Sequence, residues 1–289
     1  MNPLTGGLKF LSTTLFNSLL ALVFFIAAGH FASPSFVGKV AIIQLVETVT
    51  ASFFSILPFQ LVTREVAHYY ASSQDYTKVI HTALSYSLLV SPFLFFLLFF
   101  PSYLWISIPY FALYLYSSYQ SQLLSGLGKF TEVNAGNIIF TLARWGFSVI
   151  AVFYHSIELL ILIWSLGASI RAIYYQRFLP FKFYVDRRVF RELVKVGIPI
   201  YITWVVNFIS SQGDRVMTAF LLGSYDLGIY QLVALAAVVP SMLIQSFSYS
   251  LIPSSTYYYV KGRDMREMSS MAFRVVSLVS LPIAILGYA

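Results

Sequence analysis

The chain has no cysteine, which excludes disulfides, thiolate catalysis and cysteine-based metal sites. Charge is also scarce: 18 Lys and Arg and 11 Asp and Glu among 289 residues, or 10% of the chain. A soluble domain is about a quarter charged, so a water-facing surface cannot be built from this composition. Disorder needs low hydrophobicity and high charge, and neither is present. No HExxH, P-loop, glycine-rich dinucleotide turn or aspartate-rich magnesium pair occurs, so the sequence gives no sign of an enzyme, a metal site or a cofactor. What the chain has instead is 58% hydrophobic residues and a net charge of +7. Its basic residues flank apolar runs rather than forming a polar domain. That pattern reports membrane topology and argues against nucleic acid as a partner.

A helix that crosses the hydrocarbon core needs about 20 mostly apolar residues. Eight such spans and most of a ninth are expected, at 8–29, 37–63, 77–100, 103–126, 133–154, 157–176, 194–222, 227–255 and 267–288. They are continuous and too long for the alternating strands of a membrane β-barrel. The expected fold is therefore an all-α integral membrane protein, a multi-helix transporter bundle. Span two is long enough to be tilted or to project from the membrane.

Lys and Arg divide unevenly between the two sides. Fourteen fall with the N-terminus and the loops after spans two, four, six and eight, and Arg171 is counted among them; only Lys39 and Arg215 fall opposite. The positive-inside rule then places the N-terminus in the cytoplasm of a multi-pass cell-membrane protein. The longest connection, 177–193, contains FKFYVDRRVFREL. Its Phe183, Val185, Val189, Phe190 and Leu193 suggest a short amphipathic helix lying against membrane lipids.

Sliding the chain over itself by 190 residues pairs Gly7 with Gly197, Thr13 with Thr203, Asn17 with Asn207, Gly38 with Gly228, Tyr69 with Tyr259 and Pro92 with Pro282. Spans one to three then overlie seven to nine. A shift of six spans keeps the orientation, so the repeat is parallel, with its axis along the membrane normal. The expected domains are an N-terminal six-helix lobe at 1–176, a basic amphipathic linker at 177–193 and a three-helix, incomplete C-terminal lobe at 194–289. Two full lobes would need about three more helices of about 20 residues, so the chain is expected to be a fragment of a longer frame.

Polar residues inside spans are costly and face protein or water. Span five carries Asn134, Asn137, Thr141, Arg144 and Ser148 at steps of three and four, which is one helical face. Span two carries Gln44, Glu47, Thr48, Ser52 and Ser55, and span seven Thr203, Asn207, Ser210, Ser211 and Asp214. Spans three, four and six are more apolar in their middles. The first two helices of each lobe, with span five, are expected to line a common interior. Glu47 and Arg144 each lie roughly 15 Å into their spans, near the midplane. A charge there costs at least about 2.5–3.5 kcal/mol. Either the two pair with each other, or they line an aqueous cavity. The candidate cavity residues are Arg144, Glu47, Asp214, Asn17, Asn207, Gln44, Asn137 and Gln245.

The stretch VGIPIYITWVVNFISSQGDRVMTAFLLGSYDLGIYQLVALAAVVPSML, with its Gly-x-Pro helix start, Asp-Arg pair and Gly-x-Tyr opening the next helix, resembles the polysaccharide-exporter flippases of the MATE/MOP superfamily. So do Phe-Val-Gly at the start of span two and LVTREVAHYY at its end. The resemblance implies two six-helix lobes, a central cationic cavity and alternating access. It implies export of a lipid-linked oligosaccharide, with Arg144 as the contact for its diphosphate. Glu47 and Asp214 would take a coupling proton or cation, or sugar hydroxyls. Two alternatives stay open: an ion-coupled small-molecule antiporter of the same fold, and a membrane-embedded glycosyl- or prenyltransferase.

Overall fold

A computed structural model of the chain describes residues 3–234 and scattered positions between 255 and 277, with side chains from residue 12 onward. Every element among the described residues is helical. In chain order they are α1 (Pro3–Phe31), α2 (Pro34–Phe53), α3 (Phe59–Ala71), α4 (Thr77–Val90, continued by a 3-10 stretch Ser91–Phe99), α5 (Ser102–Ile106), α6 (Ile108–Gly126), α7 (Phe130–Thr141, continued by a π turn Leu142–Phe147), α8 (Val149–Phe153), α9 (Ile157–Gln176) and α10 (Arg187–Leu221). Among them, six stretches are long and apolar enough to cross a membrane: Ser12–Phe31, Pro34–Phe53, Thr77–Phe99, Phe130–Phe153, Ile157–Gln176 and Arg187–Leu221. Phe99, Phe220, Leu19 and Ile26 stand outward and exposed, as lipid-facing side chains do. The chain is an all-α, multi-helix membrane protein.

Helix α6 has 19 residues but is less apolar than the other spans. Its second half carries Ser117, Ser118, Gln120, Ser121, Gln122 and Ser125. Span four, expected to be more apolar in its middle, thus has an apolar first half and a polar second half.

Span two differs from the sequence reading. It is two helices, α2 and α3, separated at residues 54–58. Pro58 precedes α3 and has no N–H to continue the ladder. A broken backbone at membrane depth needs partners from the protein itself, and tyrosines supply them. Tyr86 donates to the Phe54 carbonyl at 2.7 Å and accepts from the Ile56 N–H at 3.1 Å. Tyr119 donates to the Leu57 carbonyl at 2.8 Å, and Tyr201 to the Phe53 carbonyl at 3.1 Å.

The segment 177–193 also differs. It forms no separate helix: α10 starts at Arg187 and runs on for 35 residues. Asp186 caps it, accepting from Arg188 N at 2.9 Å and Val189 N at 3.1 Å. Val189 and Leu193 are buried in a protein core with Val66, Leu84 and Leu123, not laid on a lipid surface. Ahead of the cap, alternate N–H groups dock on α4. Lys182 donates to His81 Nδ1, Tyr184 to Ser85 Oγ and Asp186 to Thr82 Oγ1.

Two apolar cores fill the described bundle. One gathers Phe24, Phe25, Tyr110, Phe111, Trp145 and Trp164 at the end away from the basic connections. The other gathers Leu61, Val66, Leu84, Tyr119, Leu123 and Tyr175 at the basic end. The start of α2 meets a helical segment at 224–234. A side-chain carbon on Gly38 would lie 1.6 Å from the Ser224 carbonyl oxygen, and one on Gly228 would lie 2.0 Å from that of Pro34. Pro34 and Ser224, like Gly38 and Gly228, are 190 residues apart in the sequence. The two close approaches thus join residues related by the same 190-residue spacing, Gly38 against Ser224 and Gly228 against Pro34. Spans eight and nine otherwise lie outside the described residues.

Candidate functional site

The polar face of span five is distorted where it carries its arginine. After Thr141 the helix widens into the π turn Leu142–Phe147. Such turns leave carbonyls without their usual donors. Ser148 Oγ donates to the Ala143 carbonyl at 3.1 Å, and Trp164 Nε1 to the Arg144 carbonyl at 2.8 Å. Helix α9 approaches closely because Gly167 faces Ala143: a Cβ on Gly167 would come within 2.4 Å of the Ala143 Cβ.

Arg144 makes a two-pronged ion pair with Glu47. Nη1 donates to Oε1 at 2.9 Å, and Nη2 lies 2.8 Å from Oε2. Tyr110 donates its hydroxyl to the same Oε2 at 2.6 Å. The guanidinium carbon sits 4.7 Å from the centroid of Trp164 and 4.9 Å from that of Trp145. Arg144 Nε is buried without a hydrogen-bond partner. The two charges pair, and Arg144, though not Glu47, lines a cavity.

That cavity measures about 340 Å³ and lies in the half of the bundle nearer the basic connections. Helix α1 contributes Thr13, Thr14 and Asn17, and α3 contributes Phe59. Helix α6 contributes Tyr114, Ser118, Ser121, Gln122 and Ser125. Asn137, Phe140 and Thr141 come from α7, and Arg171 from α9. Asn17 Oδ1 accepts from Thr141 Oγ1 at 3.1 Å and Trp145 Nε1 at 3.0 Å, which fixes α1 against span five. Asn137 Oδ1 accepts from Tyr175 at 3.1 Å.

Of the sequence candidates, Asn17, Asn137 and Arg144 thus meet at one cavity, with Glu47 behind Arg144. Gln44 is half-buried on α2 and is not part of the wall. Asn207 and Asp214 are exposed on α10, away from it. Asp214 accepts from Tyr230 and from its neighbour's N–H, Arg215 N, at 2.8 Å. Gln245 lies outside the described residues.

Arg171 corrects the count of basic residues in the connections. It is not in a loop but inside α9, 5% exposed. Its Nε and Nη2 donate to Ser117 Oγ at 3.1 and 2.5 Å. The ring centroid of Phe140 lies 4.1 Å from its guanidinium carbon. The signal for it was in span four: serines and glutamines clustered in one half of an otherwise apolar helix.

The sequence model of a family described as "Polysaccharide biosynthesis protein" matches residues 4–258. A solved structure described as "protein A" is similar over 98% of this chain and 72% of its own, with a TM-score of 0.77 at 14% identity. At that identity the likeness concerns the fold alone. No curated protein matches the chain significantly.

Proposed function

Since the chain belongs to the polysaccharide biosynthesis protein family, we propose that it is a transporter, not an enzyme, and moves a polyprenyl-diphosphate-linked oligosaccharide across the cell membrane by alternating access. The observation that carries this reading is the 340 Å³ cavity inside the first lobe, walled by hydroxyls, amides and two guanidinium groups. An apolar bundle excludes a sugar head group; this cavity offers it hydrogen bonds and offers phosphate a cation. The lipid tail stays in the bilayer beside the apolar outer face.

In this reading the basic connections face the cytoplasm, and the cavity receives its cargo from that side. The two lobes, 1–176 and 194–289, rock about the linker 177–193. Asn17, Asn137 and Arg144 contact the head group, and Glu47 holds Arg144 or exchanges a coupling proton or cation. Asp214, Asn207 and Gln245 would belong to the facing surface of the second lobe, and Gln44, on α2, to the approach.

The test is reconstitution in liposomes with a labelled lipid-linked oligosaccharide, scored by accessibility of the sugar to an external lectin. Faster flipping than in protein-free liposomes is expected. Flipping no faster than in protein-free liposomes, from a correctly inserted protein, would overturn the reading.

A further inference from the structure

Among the described residues, Arg171 is a buried cation without an acid partner. None of the three ion pairs among the described residues involves it. The rings of Phe140 and Tyr114 pack beside its guanidinium carbon, at 4.1 and 5.4 Å to their centroids, and against each other at 6.0 Å. Ser117 Oγ takes Nε and Nη2. Nη1 has no hydrogen bond to any described residue, and the side chain lines the cavity. Arg144 is in the opposite condition, with Nη1 and Nη2 both spent on Glu47. The cavity wall therefore carries one compensated guanidinium and one that is not.

An isolated buried charge costs several kcal/mol unless a partner neutralises it. Neutral sugar hydroxyls do not supply that compensation; a phosphate or carboxylate oxygen does, by a charge-assisted hydrogen bond. Ser117 and the neighbouring rings of Phe140 and Tyr114 also hold the fork in place, so little rotamer entropy remains to be lost on binding.

We propose that Arg171 is the oxyanion anchor of this cavity, binding a phosphate or carboxylate group of the cargo through its free Nη1 edge. Ser118, Ser121 and Asn137 line the same cavity. The assignment rests on the transport reading only for the identity of the cargo. The oxyanion could come from the diphosphate of a lipid carrier or from an acidic sugar.

The test uses the absence of native cysteine. Ser121→Cys is introduced into the chain in membranes, and its modification by an anionic and a cationic methanethiosulfonate reagent is timed. With Arg171 intact, the anionic reagent should react at least about tenfold faster relative to a free thiol, since one unpaired charge lies close by. Pyrophosphate should protect the thiol if the carrier supplies the oxyanion, and glucuronate if an acidic sugar does. Arg171→Gln should abolish both preference and protection, whereas Arg171→Lys should keep the preference and weaken protection severalfold. No charge preference, or no protection by either anion, would overturn the proposal, and both are read with Arg171 unchanged should the variants fail to fold. Anion protection without oligosaccharide flipping would remove the transport reading and leave the anchor; flipping without protection would do the reverse.

Discussion

Glu47 is held from two directions, by the fork of Arg144 and by the Tyr110 hydroxyl. Removing one member of a buried pair leaves the other uncompensated, at about 3–5 kcal/mol, whereas removing both is often tolerated. Glu47→Gln alone should therefore lower the melting temperature in detergent markedly. Adding Arg144→Met should recover most of the loss. A double variant as unstable as the single would refute the view that the charges chiefly satisfy each other. This pair was legible in the sequence because both charges fall in mid-span, where lipid cannot accept them. Arg171 was less so: near the end of an apolar run, a buried arginine and a surface anchor look alike, and the polar half of span four was the one hint. Only the fold shows that Ser117, Tyr114 and Phe140 converge on it.

At the scale of elements, helix positions were readable from apolar runs, and their interruptions were not. Pro58 marks a break in span two, yet the break survives in the membrane only because Tyr86, Tyr119 and Tyr201 satisfy its backbone. Those tyrosines come from three other spans, so no local pattern announces them. The π turn around Arg144 likewise depends on Trp164, a residue of the next helix. The start of α10 depends on Asp186, and this cap makes it sensitive to acid. Hydrogen bonds from the Val189 N–H, then from Arg188, hold the Asp186 carboxyl below its ordinary range. A depressed folded-state pKa contributes stability above the unfolded value, about 3.9 for aspartate, and loses it as pH falls through the folded one. The first turn of α10 should therefore be protected from hydrogen exchange at neutral pH and fray below about pH 4. Asp186→Asn should flatten that pH dependence. An unchanged acid profile in the variant would assign the fraying to another group.

At the scale of the molecule, the two ends of the bundle differ. Near the basic connections α1, α6, α7 and α9 leave a polar cavity. At the opposite end, Phe24, Phe25, Trp145 and Trp164 pack into a dense aromatic core, and α2 closes against 224–234 through Gly38 and Gly228. The 190-residue register hinted at this seam by pairing the two glycines, but a weak repeat cannot say that its equivalent residues touch. The contact is close enough that any side chain at either glycine would collide with backbone carbonyls. A transporter that works by alternating access must open such a seam to release cargo. Ser35 Oγ and Ser224 Oγ lie 3.2 Å apart across it, and the chain has no cysteine to interfere. Ser35→Cys with Ser224→Cys should therefore form a disulfide under mild oxidation. The oxidised protein should still bind anions at the cavity but cease to flip lipid-linked oligosaccharide, and a reductant should restore flipping. If the cross-linked protein flips at the full rate, the seam does not move during transport, and release must follow another route. If no disulfide forms, the closed contact is not the resting state in the membrane. Binding retained with flipping lost would separate the two halves of the cycle: the cavity loads at the basic end, and the glycine seam gates the exit.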